Sequence, residues 1–123
     1  MSDNIRLNCL VHGENITDSF SVKIKKNSPI SELKDIIKKM RSSLFDKVDA
    51  IKIVPWKVKI LIDYNAREVD IVLKDDEEKG VQKLLFPLKR IKDVFTENTT
   101  SKFIHIIIEQ PSSKYHFVYL FII

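Results

Sequence analysis

Apolar and polar residues alternate from Ile5 to Val11, with Ile5, Leu7, Cys9 and Val11 on one side and Arg6, Asn8 and Leu10 on the other. A period of two marks a strand that buries one face. His12-Gly13-Glu14-Asn15 is a turn signal. Phe20, Val22 and Ile24 then alternate with Ser21, Lys23 and Lys25, so the two runs read as a β-hairpin. Asn27-Ser28-Pro29 ends this pattern and the period changes. Ile30, Leu33, Ile37 and Met40, with Ile36 beside them, recur at helical spacing with lysines opposite. Ser28 is expected to cap this helix and Pro29 to take its first position, with Ser31 and Glu32 in the first turn and the end near Ser42.

A second β-rich region runs from Ile51 to Ile62, where Val58, Ile60 and Ile62 alternate with Lys57, Lys59 and Leu61. Pro55 has no N–H for a ladder, which confines it to an edge, a bulge or a strand start. Val69, Ile71 and Leu73 alternate with Asp70 and Val72 and predict a further short strand. Asp75 to Gly80 is a charged loop, and Leu84 to Phe95 carries a short, partly helical pattern broken by Pro87. Lys102 to Gln110 is the strongest strand, rich in β-branched residues and stopped by Pro111. The order predicts an α+β chain with a mixed sheet of four to five strands packed on one main helix. A long connection lets the last strand return parallel to the first, which is the β-grasp arrangement.

The chain has 123 residues, 44% of them hydrophobic and 31% charged, which suits one packed domain with a charged surface. Net charge is +4, with both signs interspersed. Lys23, Lys25, Lys26, Lys34, Lys38, Lys39 and Arg41 form a local basic stretch that reads as solvated strand and helix faces. Nucleic-acid binding is not expected, since Phe45, Trp56 and Tyr64 are too scattered for a stacking platform. The single cysteine excludes an internal disulfide. Residues 1–4 show no signal-peptide pattern, and no segment has the roughly 18 consecutive apolar residues of a membrane span.

Two stretches resemble ubiquitin: Ile5–Met40, as its opening hairpin and helix, and Glu97–Ile108, as its closing loop and strand. The diglycine needed for conjugation is absent, so a conjugated modifier is not expected. The span 5–111 more closely resembles the N-terminal domain of crinkler effectors, found in oomycetes and some fungi. The resemblance rests on Leu7-Asn8-Cys9-Leu10-Val11-His12-Gly13, on Ile30–Lys38, on Trp56-Lys57-Val58 and on the junction His105-Ile106-Ile107-Ile108-Glu109-Gln110-Pro111. The Leu-Phe-Leu-Ala-Lys translocation motif of the oomycete branch is not present, which favours a domain of the fungal type. The resemblance implies residues 1–111 as a ubiquitin-like, crinkler-type N-terminal domain and 112–123 as a hydrophobic tail. It also implies secretion by a route that needs no signal peptide, followed by entry into host cells. With 12 residues after Pro111, the expectation is an N-terminal domain without its effector domain.

Candidate chemistry is sparse. Cys9 and His12 are three apart on a period-two pattern, so they face opposite ways and make no nucleophile pair. His12, His105 and His116 with one cysteine lack zinc-ligand spacing. The Asp75-Asp76-Glu77-Glu78 run lacks the spaced ligands and central glycine of a calcium loop. Gly13 and Gly80 are the only glycines, too few for a phosphate-cradling loop. No catalytic, cofactor-binding or metal-ligating residue is assigned, and the expected function is binding. If Ile104, Ile106 and Ile108 face the helix, His105 and Ile107 face outward, and with Val54 they form a patch for docking host or self proteins. The alternative is that a strand or the tail covers this patch. Tyr115–Ile123 is nearly uncharged and of high β-propensity, and reads as an added strand or a homodimer-forming segment.

Overall fold

The computed structural model describes residues 3–111. Strands β1 (Asn4–Val11) and β2 (Phe20–Lys25) pair antiparallel, in register from Asn4 opposite Lys25 to Cys9 opposite Phe20. Helix α1 (Ile30–Met40) and a one-turn helix α2 (Ser42–Phe45) follow. Then come β3 (Pro55–Leu61), the two-residue β4 (Gln82–Lys83), the short helix α3 (Ile91–Val94) and β5 (Phe103–Ile108). The sheet order is β2-β1-β5-β3-β4, with β5 parallel to β1 and antiparallel to β3. A parallel pair requires a long crossover, which everything from β2 to α3 supplies. This is the β-grasp arrangement that the order of elements predicts, with five strands and one main helix.

The helix face of the sheet carries Leu7, Cys9, Val11, Val22, Ile24, Ile106 and Ile108, packed against Ile30, Leu33 and Ile37 of α1. A second buried cluster lies on the outer face: Leu10, Trp56, Val58, Val81, Ile104 and Ile107. The sheet is therefore buried on both sides. That explains why β5 reads as an almost continuous apolar run rather than a clean alternation.

Several local expectations are corrected. Pro29 is the cap residue, with extended backbone, and no side chain caps α1. The loop before α3 does that work instead: Ile30 N–H donates to the Lys89 carbonyl and Ser31 N–H to the Pro87 carbonyl, both at 2.9 Å. Met40 is 47% exposed, because the core below α1 ends one turn earlier. Lys34, expected on a solvated face, is buried; its stem covers the core edge while Nζ donates to the Ile51 carbonyl at 3.3 Å. Pro55 begins β3, the strand-start option.

Residues 67–73 form no strand. Arg67 accepts from Ile16 N–H, Glu68 makes a single bridge with Asn15, and the Ile71 carbonyl lies 3.2 Å from His12 Nε2. Val69, Ile71 and Leu73 nonetheless pack on the outer cluster. The alternation reports which side faces inward, but the backbone is spent on the β1–β2 loop rather than on a ladder. The acidic run belongs to a tight excursion in which Asp76 bridges Val81, turned by Gly80 at φ +71°.

Candidate functional site

The residues singled out along the sequence converge where β5 closes the sheet. β3 and β5 lose register between Lys57 and Ile60. Across this irregularity Ile104 packs in the outer cluster with Ile107, while Ile106 and Ile108 pack under the helix. Strict alternation would place Ile104 with the latter pair; the register shift moves it to the other face.

His105 sits at this irregularity and is 6% exposed. Its Nδ1 accepts a hydrogen bond from the Asn8 backbone N–H at 2.9 Å, standing in for a ladder carbonyl where β1 and β5 part. The Asn8 side chain completes the seam by donating to the Phe103 carbonyl at 2.9 Å. Accepting at Nδ1 places the ring proton on Nε2, which is buried. Burial lowers the imidazole pKa, opposed in part by the Thr100 carbonyl, so the neutral ring is favoured.

Ile107 is 1% exposed, wedged among Leu10, Trp56 and Val81 and sealed by residues 69–73. Val54 is half-buried beside the same cluster. Val54 thus lies beside the cluster that holds Ile107, while His105 lies outside it, and neither His105 nor Ile107 presents an open surface. Ile107 is covered by residues 69–73, which are neither the strand nor the tail expected there. Outward apolar surface occurs elsewhere: Leu85, Phe86 and Leu88, in the loop after β4, are all exposed. Their run with Leu84 and Pro87 is visible in the sequence, but it reads there as part of a helix.

Just past β5 the chain is clamped to the start of β3 and to the turn after β1. Glu109 N–H donates to the Val54 carbonyl at 3.0 Å, and Trp56 Nε1–H donates to Glu109 Oε2 at 2.9 Å. Gln110 Nε2 donates to the His12 carbonyl at 2.8 Å, beside Gly13 at φ +87°. Arg41, at the end of α1, holds the same turn through a bidentate pair with Glu14, at 2.6 and 2.8 Å. The Arg41 hydrogen bonds keep the Glu14 carboxyl below the ordinary carboxylate value.

Cys9 is fully buried and its thiol pKa is pushed up by desolvation, the opposite of an activated nucleophile. Among the described residues no group of three or more His, Cys, Asp or Glu could hold a metal ion, and no helix is long and apolar enough to cross a membrane. The added strand or dimer segment expected at 112–123 lies outside the described residues.

Comparison with known proteins agrees with this architecture. The family model described as the crinkler effector protein N-terminal domain matches residues 5–109. Crinkler effector protein 1 of the fungus Rhizophagus irregularis is 29% identical over 110 residues, covering 89% of this chain. The chain spans 22% of that relative's length. No solved structure matches. The family match runs from Ile5, at the start of β1, to Glu109, at the clamp beyond β5, and so takes in the whole sheet and its helix: the chain belongs to the crinkler effector N-terminal domain family.

Proposed function

We propose that this chain is the delivery module of a crinkler-type effector: a non-catalytic, ubiquitin-like domain that takes a secreted protein, by a route needing no signal peptide, into host cells. The observation that carries this reading is the family match over residues 5–109, which coincides with one closed fold. The relative named as an effector is several times longer than the matched span, so the delivered activity belongs to sequence beyond such a module. The test is to express the chain with a fluorescent tag in its source organism and follow it. Signal inside adjoining host cells, lost when residues 5–111 are replaced by ubiquitin, supports the reading. Signal held in the producing cell refutes it.

A second reading is an intracellular ubiquitin-like adaptor that docks partner proteins and takes no part in transport. The exposed Leu85, Phe86 and Leu88 favour it, since three large apolar side chains in one loop are unusual without a partner. Docking at Val54 and Ile107 requires residues 69–73 to lift from the outer face. An adaptor yields a discrete partner lost in Phe86→Asp with the fold retained. Self-association through 112–123 is a separate proposal, tested by sedimentation of the full chain against one ending at Pro111.

A further inference from the structure

Between β4 and α3 the chain makes an exposed turn over residues 84–90. Leu84 and Ile91 are buried at its two ends, while Leu85, Phe86 and Leu88 are 58%, 68% and 82% exposed. The backbone of the turn is tied at four points. Leu84 N–H donates to the Pro55 carbonyl, and the Pro87 and Lys89 carbonyls accept from Ser31 and Ile30 of α1. Lys89 N–H closes the turn on the Phe86 carbonyl at 3.2 Å. Three large apolar side chains are therefore held outward by a fixed backbone, which leaves little ordering to be done on binding.

Positive charge gathers at the α3 end of the same turn. Lys89, Arg90 and Lys92 are exposed, and Lys92 N–H donates to the Lys26 carbonyl at 2.8 Å, which brings exposed Lys26 alongside. Among the described residues none of these four cations forms an ion pair with a carboxylate. Asp93 is the only acidic residue from Lys79 to Thr96, and Glu32 follows Ser31 in α1. The acidic run 75–78 joins the other, β4 end through Asp75, which accepts from Lys83 N–H.

Four cations beside three apolar side chains call for an anionic partner with an apolar interior. Protein interfaces deplete charge at their apolar centre, and a stable one takes about 800 Å² from each partner. Three side chains on one turn supply well under that. A nucleic acid would use the cations and leave Phe86 and Leu88 in water. An anionic bilayer uses both, since its hydrocarbon takes the apolar tips while its headgroups meet the cations.

We propose that residues 84–92 are a membrane-docking turn: Leu85, Phe86 and Leu88 enter the surface layer of an anionic bilayer, and Lys26, Lys89, Arg90 and Lys92 face its headgroups. The contact is peripheral and involves one leaflet. It is independent of whether the chain enters host cells, because it is measured on the purified protein.

The test is cosedimentation of the full chain with vesicles of phosphatidylcholine and phosphatidylserine at about 7:3, and of phosphatidylcholine alone, in about 0.1 M salt. Half of the protein is expected on the anionic vesicles at about 0.1–1 mM lipid, the strength of a single acyl anchor or somewhat less. Neutral vesicles are expected to bind at least about tenfold more weakly. Phe86→Asp, and separately Lys89→Gln combined with Lys92→Gln, are each expected to weaken anionic binding about tenfold with the melting temperature kept. Phe86→Trp is expected to bind as the parent does, and lipids brominated on their acyl chains are expected to quench its emission above the background of buried Trp56. No binding to anionic vesicles overturns the proposal and leaves the turn to a protein partner. Equal binding to neutral vesicles overturns it too. Unweakened binding by Phe86→Asp does the same, since it assigns the membrane contact to another part of the chain. If Phe86→Asp fails to fold, the brominated lipids decide, and an unquenched Phe86→Trp overturns the proposal.

Discussion

Replacing Ile107 separates a docking residue from a core residue. Its side chain is 1% exposed and touches the outer cluster of Leu10, Trp56, Val58, Val81 and Ile104. Ile107→Ala removes three carbons from a site walled by two strands and by residues 69–73. Both strands are tied into the ladder at this level, with Ile107 opposite Leu10 on one side and Trp56 on the other. The backbone therefore cannot move in to fill the space, and the cost should reach the usual range for such truncations, about 2–4 kcal/mol. For a domain near 110 residues that corresponds to a fall in melting temperature of about 10–25 °C. Leu88→Ala, at a position 82% exposed, is the control and should change stability by less than about 0.5 kcal/mol. The assay is thermal and urea unfolding followed by circular dichroism, with both variants beside the parent chain. Ile107→Asp should go further and prevent folding, because the carboxylate would have no partner there. An Ile107→Ala variant as stable as Leu88→Ala would refute the burial of the outer face and restore Ile107 as a free docking residue.

Other consequences are measurable in the same preparations. Arg41→Met should cost about 1–3 kcal/mol at pH 7, because it removes two charge-assisted hydrogen bonds to Glu14. Since folding lowers the Glu14 pKa, its contribution is fully present above the ordinary value of 4.5 and is lost as pH falls through the folded value. The acid limb of the parent's stability curve should therefore be steeper than that of Arg41→Met. His105 has a folded pKa below the ordinary 6.5, so its contribution is present above 6.5 and fades as pH falls through the folded value. Its ring resonances should titrate below those of a free imidazole, and stability should drop between pH 7 and pH 5. Cys9 should resist thiol reagents in the native chain and react only at the rate of unfolding, measured with a chromogenic disulfide.

Periodicity makes the hairpin, the Ile30, Leu33 and Ile37 stripe and the parallel return of the last strand legible, because each depends on local spacing. What it cannot show depends on contacts far apart in sequence. The shift of Ile104 to the outer face follows from a register change against β3, more than forty residues away. The covering of Ile107 follows from residues 67–73 bonding to the β1–β2 loop. Lys34 reads as a solvated lysine until the Ile51 carbonyl is placed above it. Ser28 followed by Pro29 is a sound helix start by itself, yet the loop at 87–89 satisfies those N–H groups first. His105 reads in the sequence as an outward-facing docking residue. It sits instead at the seam between β1 and β5, as a surrogate ladder acceptor for Asn8.

The motifs that identify the family share one physical task. His105 bonds to Asn8, Gln110 to His12, and Trp56 to Glu109, so the opening, middle and junction motifs are joined pairwise where the sheet closes. These residues hold β5 between β1 and β3 and fix the direction in which the chain leaves the fold. Their pattern is thus accounted for by closure of the sheet, whether or not the domain takes part in delivery. It follows that loss of delivery in a variant at Trp56, His105 or Gln110 would not locate a translocation surface, since the same change loosens the fold. Residues suited to that purpose are exposed and make no such bonds. Phe86 and Leu88 meet both conditions, and a delivery defect in Phe86→Asp with unchanged melting temperature would place the recognition surface on the loop between β4 and α3.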